Sequence, residues 1–547
     1  MEKTKKNGFL QGAIILVFAN FLVKAIGAIY KIPMYNMVGS EGMGYFSAAY
    51  NIYSFLFVIS TAGLPVAVSR MVSSAVACGR EAEARRIFRL SLFIFTLIGV
   101  AGTALMFFGA GGFTKLIKNS NALFSIMTLS PAILFVAIGS SYRGYYQGLN
   151  NMVPTAVSQV LESFGKMAVG LLLAGWMLKN GQRVFGFEEA QMPIYVAAAA
   201  VLGVTAGSAI STLYLVLRKA LSNLNPKNRT PVTGEVRPPK QIAAEIFRIS
   251  IPITLSASVL SITSLIDSIL VMRRLQYIGM PELEADKLYG IYSGMTITLF
   301  NLPTAVIFPI AVSLVPVLAA AVASKAHEKV RQTTESALRI TAALAMPAAA
   351  GMAVLSKQIL TLLFPGQLND VAVAAPLLSL ICPAVLFVCL VSVSNAILQA
   401  QGFERKTVVS MLCGGAVKLL TNYLLIGTPA IGIHGAPFAT ILCYGTITCL
   451  NFYQMAKNTH FIPSVRRVFL RPLVAAAACG VSAALTATLT KNLFGNTLCL
   501  LCAVGVGAVM YGAVLLLVRG VTRTDLMMLP KGDALCRLLD KAHLLAE

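Results

Sequence analysis

The sequence carries little charge for its length. Only 12% of its 547 residues are Asp, Glu, Lys or Arg, whereas about a quarter of a soluble domain is charged. Hydrophobic residues make up 57% of the chain. They fall in blocks of roughly 18 to 30, long enough to cross a hydrocarbon layer of about 30 Å. A β-barrel is excluded because its strands alternate polar and apolar residues. The composition predicts an all-α polytopic membrane protein.

Histidine and tryptophan are scarcer still, with four residues and one residue respectively. No His lies at a useful spacing from a Ser or Cys, and the ten Cys follow no disulfide framework. Cys499-Leu-Leu-Cys502 has metal-ligand spacing but lacks a second ligand pair. The acidic stretch Glu282–Asp286 is interpreted as a solvated turn between helices. We therefore predict no catalytic residues, no metal, no cofactor and no enzymatic activity.

Fourteen apolar segments are predicted to be transmembrane helices. They are residues 9–32, 46–69, 90–111, 122–142, 153–177, 194–217, 247–272, 290–320, 339–363, 371–400, 407–427, 435–456, 472–490 and 495–518. If the amino terminus is cytoplasmic, the inner segments hold most of the 44 Lys and Arg, as the positive-inside rule requires. This bias accounts for most of the net charge of +23 without a nucleic-acid partner. Both termini are then expected in the cytoplasm.

Two parts of the chain repeat each other. Pro65-Val-Ala-Val-Ser69 recurs as Pro309-Ile-Ala-Val-Ser313. A second set recurs at one constant offset: Gln147, Thr155, Val157, Ser158 and Lys166 as Gln399, Thr407, Val409, Ser410 and Lys418. Six spans per repeat give both lobes the same orientation, the parallel kind of transporter repeat. The predicted organisation is an N-terminal six-helix lobe (1–219), a basic cytoplasmic linker (220–246), a C-terminal six-helix lobe (247–457), spans 13 and 14 (458–519) and an amphipathic cytoplasmic tail (520–547).

Ionisable residues inside the predicted spans are the informative ones, because such groups are costly in hydrocarbon unless they face water or a partner. The cations are Lys24, Lys166, Lys357 and Lys418, and the anions are Glu162 and Asp267. Lys24 belongs to a polar stripe on span 1 that also contains Asn20, Gly27 and Lys31, and no acidic residue lies within a turn of it. The sign of this set favours an anionic solute over an organic cation.

Several of these residues also have a structural interpretation. Lys31 and Lys357 lie near span ends and could snorkel to the interface, and Arg70 and Arg143 could be inner-face anchors. Glu162 precedes Lys166 by four residues, the favourable order for an intrahelical ion pair. Asp267 and Lys418 could form a buried pair between helices.

The sequence also resembles a known family. The motifs that carry the likeness are Arg143-Gly-Tyr-Tyr-Gln-Gly148 with Met152–Glu162, Gly63–Arg70, Leu265-Ile-Asp267 with Arg273-Arg274, and Lys418-x3-Asn422 before Gly432-Ile-His-Gly435. Together they are similar to the stage V sporulation protein B group, the polysaccharide-biosynthesis exporters related to the MurJ lipid II flippases. The likeness extends over nearly the whole chain.

The resemblance implies two six-helix lobes, with spans 13 and 14 forming a groove for a lipid tail. It also implies that cations of spans 1 and 2, here Lys24 and Arg70, contact a pyrophosphate. Span 8 departs from the family pattern, since Thr296–Pro303 contains no Arg. Some relatives bind sodium at positions that match Asp267, Asn422 and Thr440. In this chain the ammonium of Lys418 could take the place of that cation.

These observations lead to one functional hypothesis and two alternatives. The leading hypothesis is a monomeric flippase of the bacterial cytoplasmic membrane for an undecaprenyl-pyrophosphate-linked saccharide, peptidoglycan lipid II or a related envelope precursor. Lys24, Lys31, Arg70, Lys166 and Lys418 would bind its head group, and Glu162, Asp267, Asn422 and Thr440 would serve charge pairing or coupling. A cation-coupled multidrug antiporter on the same fold is the first alternative. A membrane-embedded glycosyltransferase is the second.

Overall fold

The computed structural model describes residues 2–224, 237–459, 463–491, 493 and 495–520. The described residues form helices and connecting turns, with no strand among them. The all-α fold class is therefore confirmed. Part of the predicted linker (225–236) and nearly all of the predicted tail (521–547) lie outside the described residues.

The chain divides into two compact units, Met1–Gly294 and Met295–Glu547. The helices of the first unit are α1 (Glu2–Thr61), α2 (Leu64–Ala77), α3 (Glu81–Phe108), α4 (Ala110–Ile117), α5 (Leu123–Leu129), α6 (Pro131–Gly148), α7 (Val153–Phe185), α8 (Met192–Leu224), α9 (Pro239–Tyr277) and α10 (Glu282–Ile291). The helices of the second are α11 (Ile297–Phe300), α12 (Leu302–Ala323), α13 (His327–Val354), α14 (Ser356–Leu363), α15 (Leu368–Ile381), α16 (Pro383–Ala400), α17 (Glu404–Ile426), α18 (Gly435–Thr459), α19 (Arg471–Thr490) and α20 (Asn496–Leu517).

Within the described residues, twelve helical segments are long and apolar enough to cross a membrane. Two differences separate this number from the fourteen predicted spans. One candidate segment, Phe18–Ala77, joins most of α1 to α2 and covers most of the first predicted span and all of the second, and α9 corresponds to predicted span 247–272 but falls outside the twelve. The predicted count of fourteen is thus approximate, and the chain is a multi-pass membrane protein.

A sharp kink at Gly39 divides α1. Its backbone angles are φ 71° and ψ −177°, a region that only glycine occupies without strain. The kink lets one continuous helical segment present two stretches of different direction to the rest of the first unit. Helix α1 packs against α7, α8, α9 and α10 within that unit.

An ion-pair network around the buried carboxylate of Glu83 fixes the end of the linker. The Arg237 guanidinium pairs with Glu83 and, at 2.6 Å, with Glu245, and Arg80 pairs with Glu83 at 2.8 Å. The Glu83 side chain is fully buried at the start of α3. These contacts tie α9 to α3 in the first unit.

The C-terminal boundary of the first unit lies after α10, whereas the sequence places a lobe boundary in the linker.

The acidic stretch Glu282–Asp286 is not a solvated turn, so that prediction was wrong. These residues form the first turn and a half of α10, and the Asp286 side chain is fully buried. Asp286 shares one helix face with the buried residues Tyr289 and Gly290, three and four positions later. Sequence spacing does not show that this face packs on α1.

Candidate functional site

A cavity of about 400 Å³ lies within the first unit. Its polar lining comes from three helices: Lys24, Tyr30, Tyr50, Tyr53 and Ser54 of α1, Arg143 of α6, and Gln159, Glu162, Ser163 and Lys166 of α7. Both halves of α1 contribute to the wall, which the Gly39 kink makes possible. The cavity thus collects three cations and one carboxylate.

Close packing of α7 on α8 positions the α7 side chains. A Cβ at Gly207 of α8 would lie 2.4 Å from the backbone carbonyl oxygen of Glu162 and 2.6 Å from the backbone nitrogen of Lys166. Only a residue without a side chain allows the two backbones to approach this closely. Glycine at this position therefore sets where Glu162 and Lys166 enter the cavity.

Arg143 and Glu162 form the central ion pair of the site. Arg143 Nη2 lies 2.6 Å from Glu162 Oε2 and also donates to Ser211 Oγ at 2.9 Å, while Nε donates to Ser158 Oγ at 3.0 Å. The intrahelical ion pair of Glu162 with Lys166, one of the interpretations that the sequence leaves open, does not form, because Glu162 pairs with Arg143 instead. The planar guanidinium offers several donors in a fixed geometry, and from α6 it satisfies one carboxylate and two hydroxyls at once.

Lys166 instead lies against aromatic rings. Its Nζ is 4.6 Å from the ring centroid of Tyr50 and 5.4 Å from that of Tyr30. Each ring face attracts the ammonium by about 0.5–2 kcal/mol, more when the pair is desolvated. The Tyr30 hydroxyl donates to the carbonyl of Ala200 at 3.2 Å, which fixes that ring. A cation held by ring faces keeps its hydrogen-bond donors for another acceptor.

Tyr50 and Tyr53 belong to an aromatic ladder along α1. Successive ring centroids of Phe46, Tyr50, Tyr53 and Phe57 lie 5.8, 5.8 and 5.6 Å apart. Tyr50, Tyr53 and Phe57 line the cavity. Polar groups and flat aromatic faces therefore occur side by side in the wall of the cavity.

The structure places the predicted site residues as follows. Lys24, Lys166 and Glu162 meet in the cavity, whereas Lys31 is half-buried on α1 outside its lining and Arg70 is exposed on α2. Asp267 is half-buried on α9 of the first unit. Lys418 is half-buried on α17 of the second unit, where Asn422 is 1% exposed. Thr440 of α18 is 2% exposed, and its hydroxyl donates to the carbonyl of Ala436 at 2.9 Å.

Sequence reasoning missed two components of the site. Arg143 was interpreted as an inner-face anchor, although its position in the Arg143–Gly148 motif marked it for attention. The aromatic ladder was not singled out either. Its spacing of four, three and four residues was the available signal, because such residues share one face of a helix.

Comparison with known proteins gives two family matches. The family model described as polysaccharide biosynthesis protein matches residues 9–322, and the model described as MatE matches residues 285–424. The first match covers more than half of the chain.

Three relatives from Bacillus subtilis are similar over most of their length. The uncharacterized membrane protein YabM is 27% identical over 477 residues, 86% of this chain and 84% of the relative. Stage V sporulation protein B is 27% identical over 458 residues, 83% of this chain and 84% of the relative. Lipid II flippase MurJ is 25% identical over 486 residues, 86% of this chain and 87% of the relative.

Two solved structures share the fold at 14% identity. An inward-facing multidrug resistance MATE family transporter has a TM-score of 0.67 and covers 82% of this chain and 98% of its own. Lipid II flippase MurJ in an inward closed conformation has a TM-score of 0.64, and the match covers 92% of this chain and 98% of the MurJ chain.

The multi-pass helical fold, together with the similarity to stage V sporulation protein B and lipid II flippase MurJ over most of the chain, defines a membrane transporter of the flippase type rather than an enzyme. More particularly, the chain belongs to the polysaccharide biosynthesis protein family. The resemblance to the group of stage V sporulation protein B and MurJ is thereby confirmed.

Proposed function

We propose that this transporter is a flippase for an undecaprenyl-pyrophosphate-linked saccharide, peptidoglycan lipid II or a related envelope precursor. It moves the head group from the inner to the outer leaflet of the bacterial cytoplasmic membrane by alternating access, with both termini in the cytoplasm. The observation that carries the proposal is the cationic cavity of the first unit, where Lys24, Arg143 and Lys166 outnumber Glu162. The similarity to a lipid II flippase supports the substrate class.

The cavity suits a diphosphate for an electrostatic reason. A sugar-diphosphate head cannot cross hydrocarbon unaided, because a charged group in the membrane costs several kcal/mol. Lys24 and Lys166 supply ammonium donors, and phosphate oxygens accept charge-assisted hydrogen bonds. The aromatic rings of Tyr50 and Tyr53 line the same cavity, and a sugar ring could stack on their faces. The polyprenyl tail stays in lipid.

Binding of the head group changes the partners of the charged residues in the cavity. Before loading, Glu162 holds Arg143, and the Tyr30 and Tyr50 rings hold Lys166. A diphosphate competes with the rings for the ammonium of Lys166, since an anion is a stronger partner than a ring quadrupole. Glu162 keeps Arg143 in place and limits the positive charge of the empty cavity.

Residues outside this cavity complete the proposal. We also assign head-group binding to Lys31 and Arg70 of the first unit and to Lys418 of the second unit. Asp267, Asn422 and Thr440 serve charge pairing or coupling. None of these assignments requires a resident metal ion.

A cation-coupled multidrug antiporter is the second candidate, favoured by the MatE match over residues 285–424. An organic cation would require an acidic cavity, and the first unit presents the opposite sign. The two functions therefore differ in the charge of the solute that the cavity accepts.

The experiment is a flipping assay in proteoliposomes. Purified protein is reconstituted into liposomes. One preparation contains a fluorescent undecaprenyl-pyrophosphate-linked saccharide in the membrane, and the other is loaded with a cationic dye. We expect the lipid-linked saccharide to change leaflets and the dye to remain untransported. Lys24→Ala should abolish flipping, while Lys357→Ala, which removes an exposed lysine of α14, should not change it. Transport of the dye alone would reject the proposal in favour of the antiporter.

A further inference from the structure

A buried carboxyl group lies where α10 packs on α1 and on the turn after α4. Asp286 is 0% exposed, and its Oδ1 accepts a hydrogen bond from Asn119 Nδ2 at 2.7 Å. Its second oxygen, Oδ2, has no hydrogen-bond partner among the described residues. An ionised carboxylate with an unsatisfied buried oxygen is costly. A protonated carboxyl avoids the cost of the charge.

The orientation of Asn119 is fixed from its other side. Asn119 Oδ1 accepts from the backbone nitrogen of Ala122 at 3.1 Å and so caps the short 3₁₀ turn Ser120–Ala122. Its amide nitrogen therefore points toward Asp286 as a donor. Because a single donor of the described part of the chain reaches the Asp286 carboxyl, the site stabilises one oxygen and leaves the other without compensation.

The charged groups around Asp286 also oppose its ionisation. From α10, Glu282 lies one turn earlier and accepts from the backbone nitrogen of Ser120 at 2.7 Å. From α1, Glu41 pairs with Lys287 at 2.9 Å, so the neighbouring ammonium is already engaged, and Tyr45 accepts from the Asn121 amide at 3.1 Å. Burial first, and then the charges of Glu282 and Glu41, raise the pKa of Asp286 from its ordinary 3.8 to about 8.

Helix α1 packs closely on α10 beside Asp286. A Cβ at Gly44 would lie 2.6 Å from the carbonyl oxygen of Asp286, and one at Gly290 would lie 1.8 Å from that of Ser40. The backbones of α1 and α10 are thus in direct contact. Among the described residues, no group of three or more His, Cys, Asp or Glu could hold a metal ion. The ligand that fits here is a proton.

We propose that Asp286 is a proton-binding site of this transporter, neutral while α10 is seated on α1 and the Asn119 turn, and deprotonated when α10 moves away. In that step the O–H bond at Oδ2 breaks, the proton passes to water, and the new carboxylate becomes solvated. Asp286 itself lies outside the candidate spans, and its neighbours named above are not among the residues that line the cationic cavity. The proposal goes beyond the flippase function and does not depend on it.

Proton binding follows from this geometry as a thermodynamic linkage. Low pH favours the seated position of α10, because the seated state binds a proton that the released state gives up. High pH weakens the packing of α10 on α1 and on the Asn119 turn. The polar contacts further along the same interface, Asn51 Nδ2 to the Tyr289 hydroxyl at 2.8 Å and Ser293 Oγ to Ser47 Oγ at 2.9 Å, should loosen with it.

The test is an infrared pH titration of the purified, substrate-free protein. We expect a protonated carboxyl band that disappears near pH 8 and is absent from Asp286→Asn, whose amide oxygen can still accept from Asn119. Glu284→Gln, an exposed carboxyl of the same helix, is the matched control and should retain the band. A wild-type band unchanged by Asp286→Asn would overturn the proposal, and so would a wild type that lacks such a band.

Hydrogen–deuterium exchange supplies the conformational readout. One unit above pH 8, the peptide spanning α10 should exchange faster in the wild type than in Asp286→Asn at the same pH. One unit below, the two proteins should exchange alike. Equal exchange at both pH values would show that Asp286 does not govern the seating of α10.

Discussion

Arg143 Nη2 of α6 and Glu162 Oε2 of α7 lie 2.6 Å apart, with side chains only 13% and 24% exposed. The pair joins the Arg143–Gly148 motif to the helix that follows it and lies in the wall of the cationic cavity. Its position gives the pair two separable roles. It stabilises the packing of the first unit, and it moderates the charge that a substrate meets.

Removal of Arg143 should destabilise the protein more than removal of both partners. Arg143→Ala leaves the Glu162 carboxylate partly buried and without its cation, which should cost about 1–3 kcal/mol. Arg143→Ala with Glu162→Ala removes that uncompensated charge and should recover part of the loss. Thermal unfolding in detergent measures both. A double variant as unstable as the sum of the two single variants would mean that the pair is not coupled.

The aromatic face of Tyr50 should stabilise Lys166. Tyr50→Phe keeps the ring and should leave unfolding nearly unchanged, whereas Tyr50→Leu should destabilise the protein by about 0.5–2 kcal/mol. In a Lys166→Met background, the difference between Phe and Leu at position 50 should shrink. If that difference is the same with and without Lys166, the cation–π contact contributes nothing measurable.

Gly207 should tolerate no side chain. A methyl group there would meet the Glu162 carbonyl and force α7 from α8, and overpacking of this kind costs about 1–3 kcal/mol. Flipping should fall as well, because Glu162 and Lys166 move with α7. Gly175→Ala is the matched control on α7, since its Cβ would meet only Met37 Cε at 3.7 Å. A Gly207→Ala protein that melts and transports like Gly175→Ala would refute the packing argument.

The contribution of Asp286 to the stability of the wild type should fall as pH rises from about 4 to about 8. In this window the folded protein still holds the Asp286 proton that the unfolded chain has lost, so raising the pH favours unfolding. Above the folded pKa of about 8 this contribution becomes constant. Asp286→Asn should flatten the dependence of melting temperature on pH over the same window. An equal slope in wild type and variant would assign the pH dependence to other groups.

The membrane class and most of the spans could be predicted from composition, because apolar length alone defines a transmembrane helix. Lys24 and Lys166 could be placed in a polar site because ionisable residues in a span need water or partners. The partner of Glu162 could not be predicted, since sequence spacing reveals neighbours on one helix and Arg143 lies on another. The burial of Asp286 was missed for the same reason, because it depends on α1, far away in sequence.

Charge reversal at Lys24 is the direct test of whether the cationic cavity of the first unit accepts an anionic lipid-linked head group. The measurement is the rate at which reconstituted wild type, Lys24→Arg and Lys24→Glu move a fluorescent undecaprenyl-pyrophosphate-linked saccharide across the bilayer. We expect flipping by the wild type, partial flipping by Lys24→Arg and none by Lys24→Glu, with all three proteins folded and inserted alike. Flipping by Lys24→Glu at the wild-type rate would contradict this expectation.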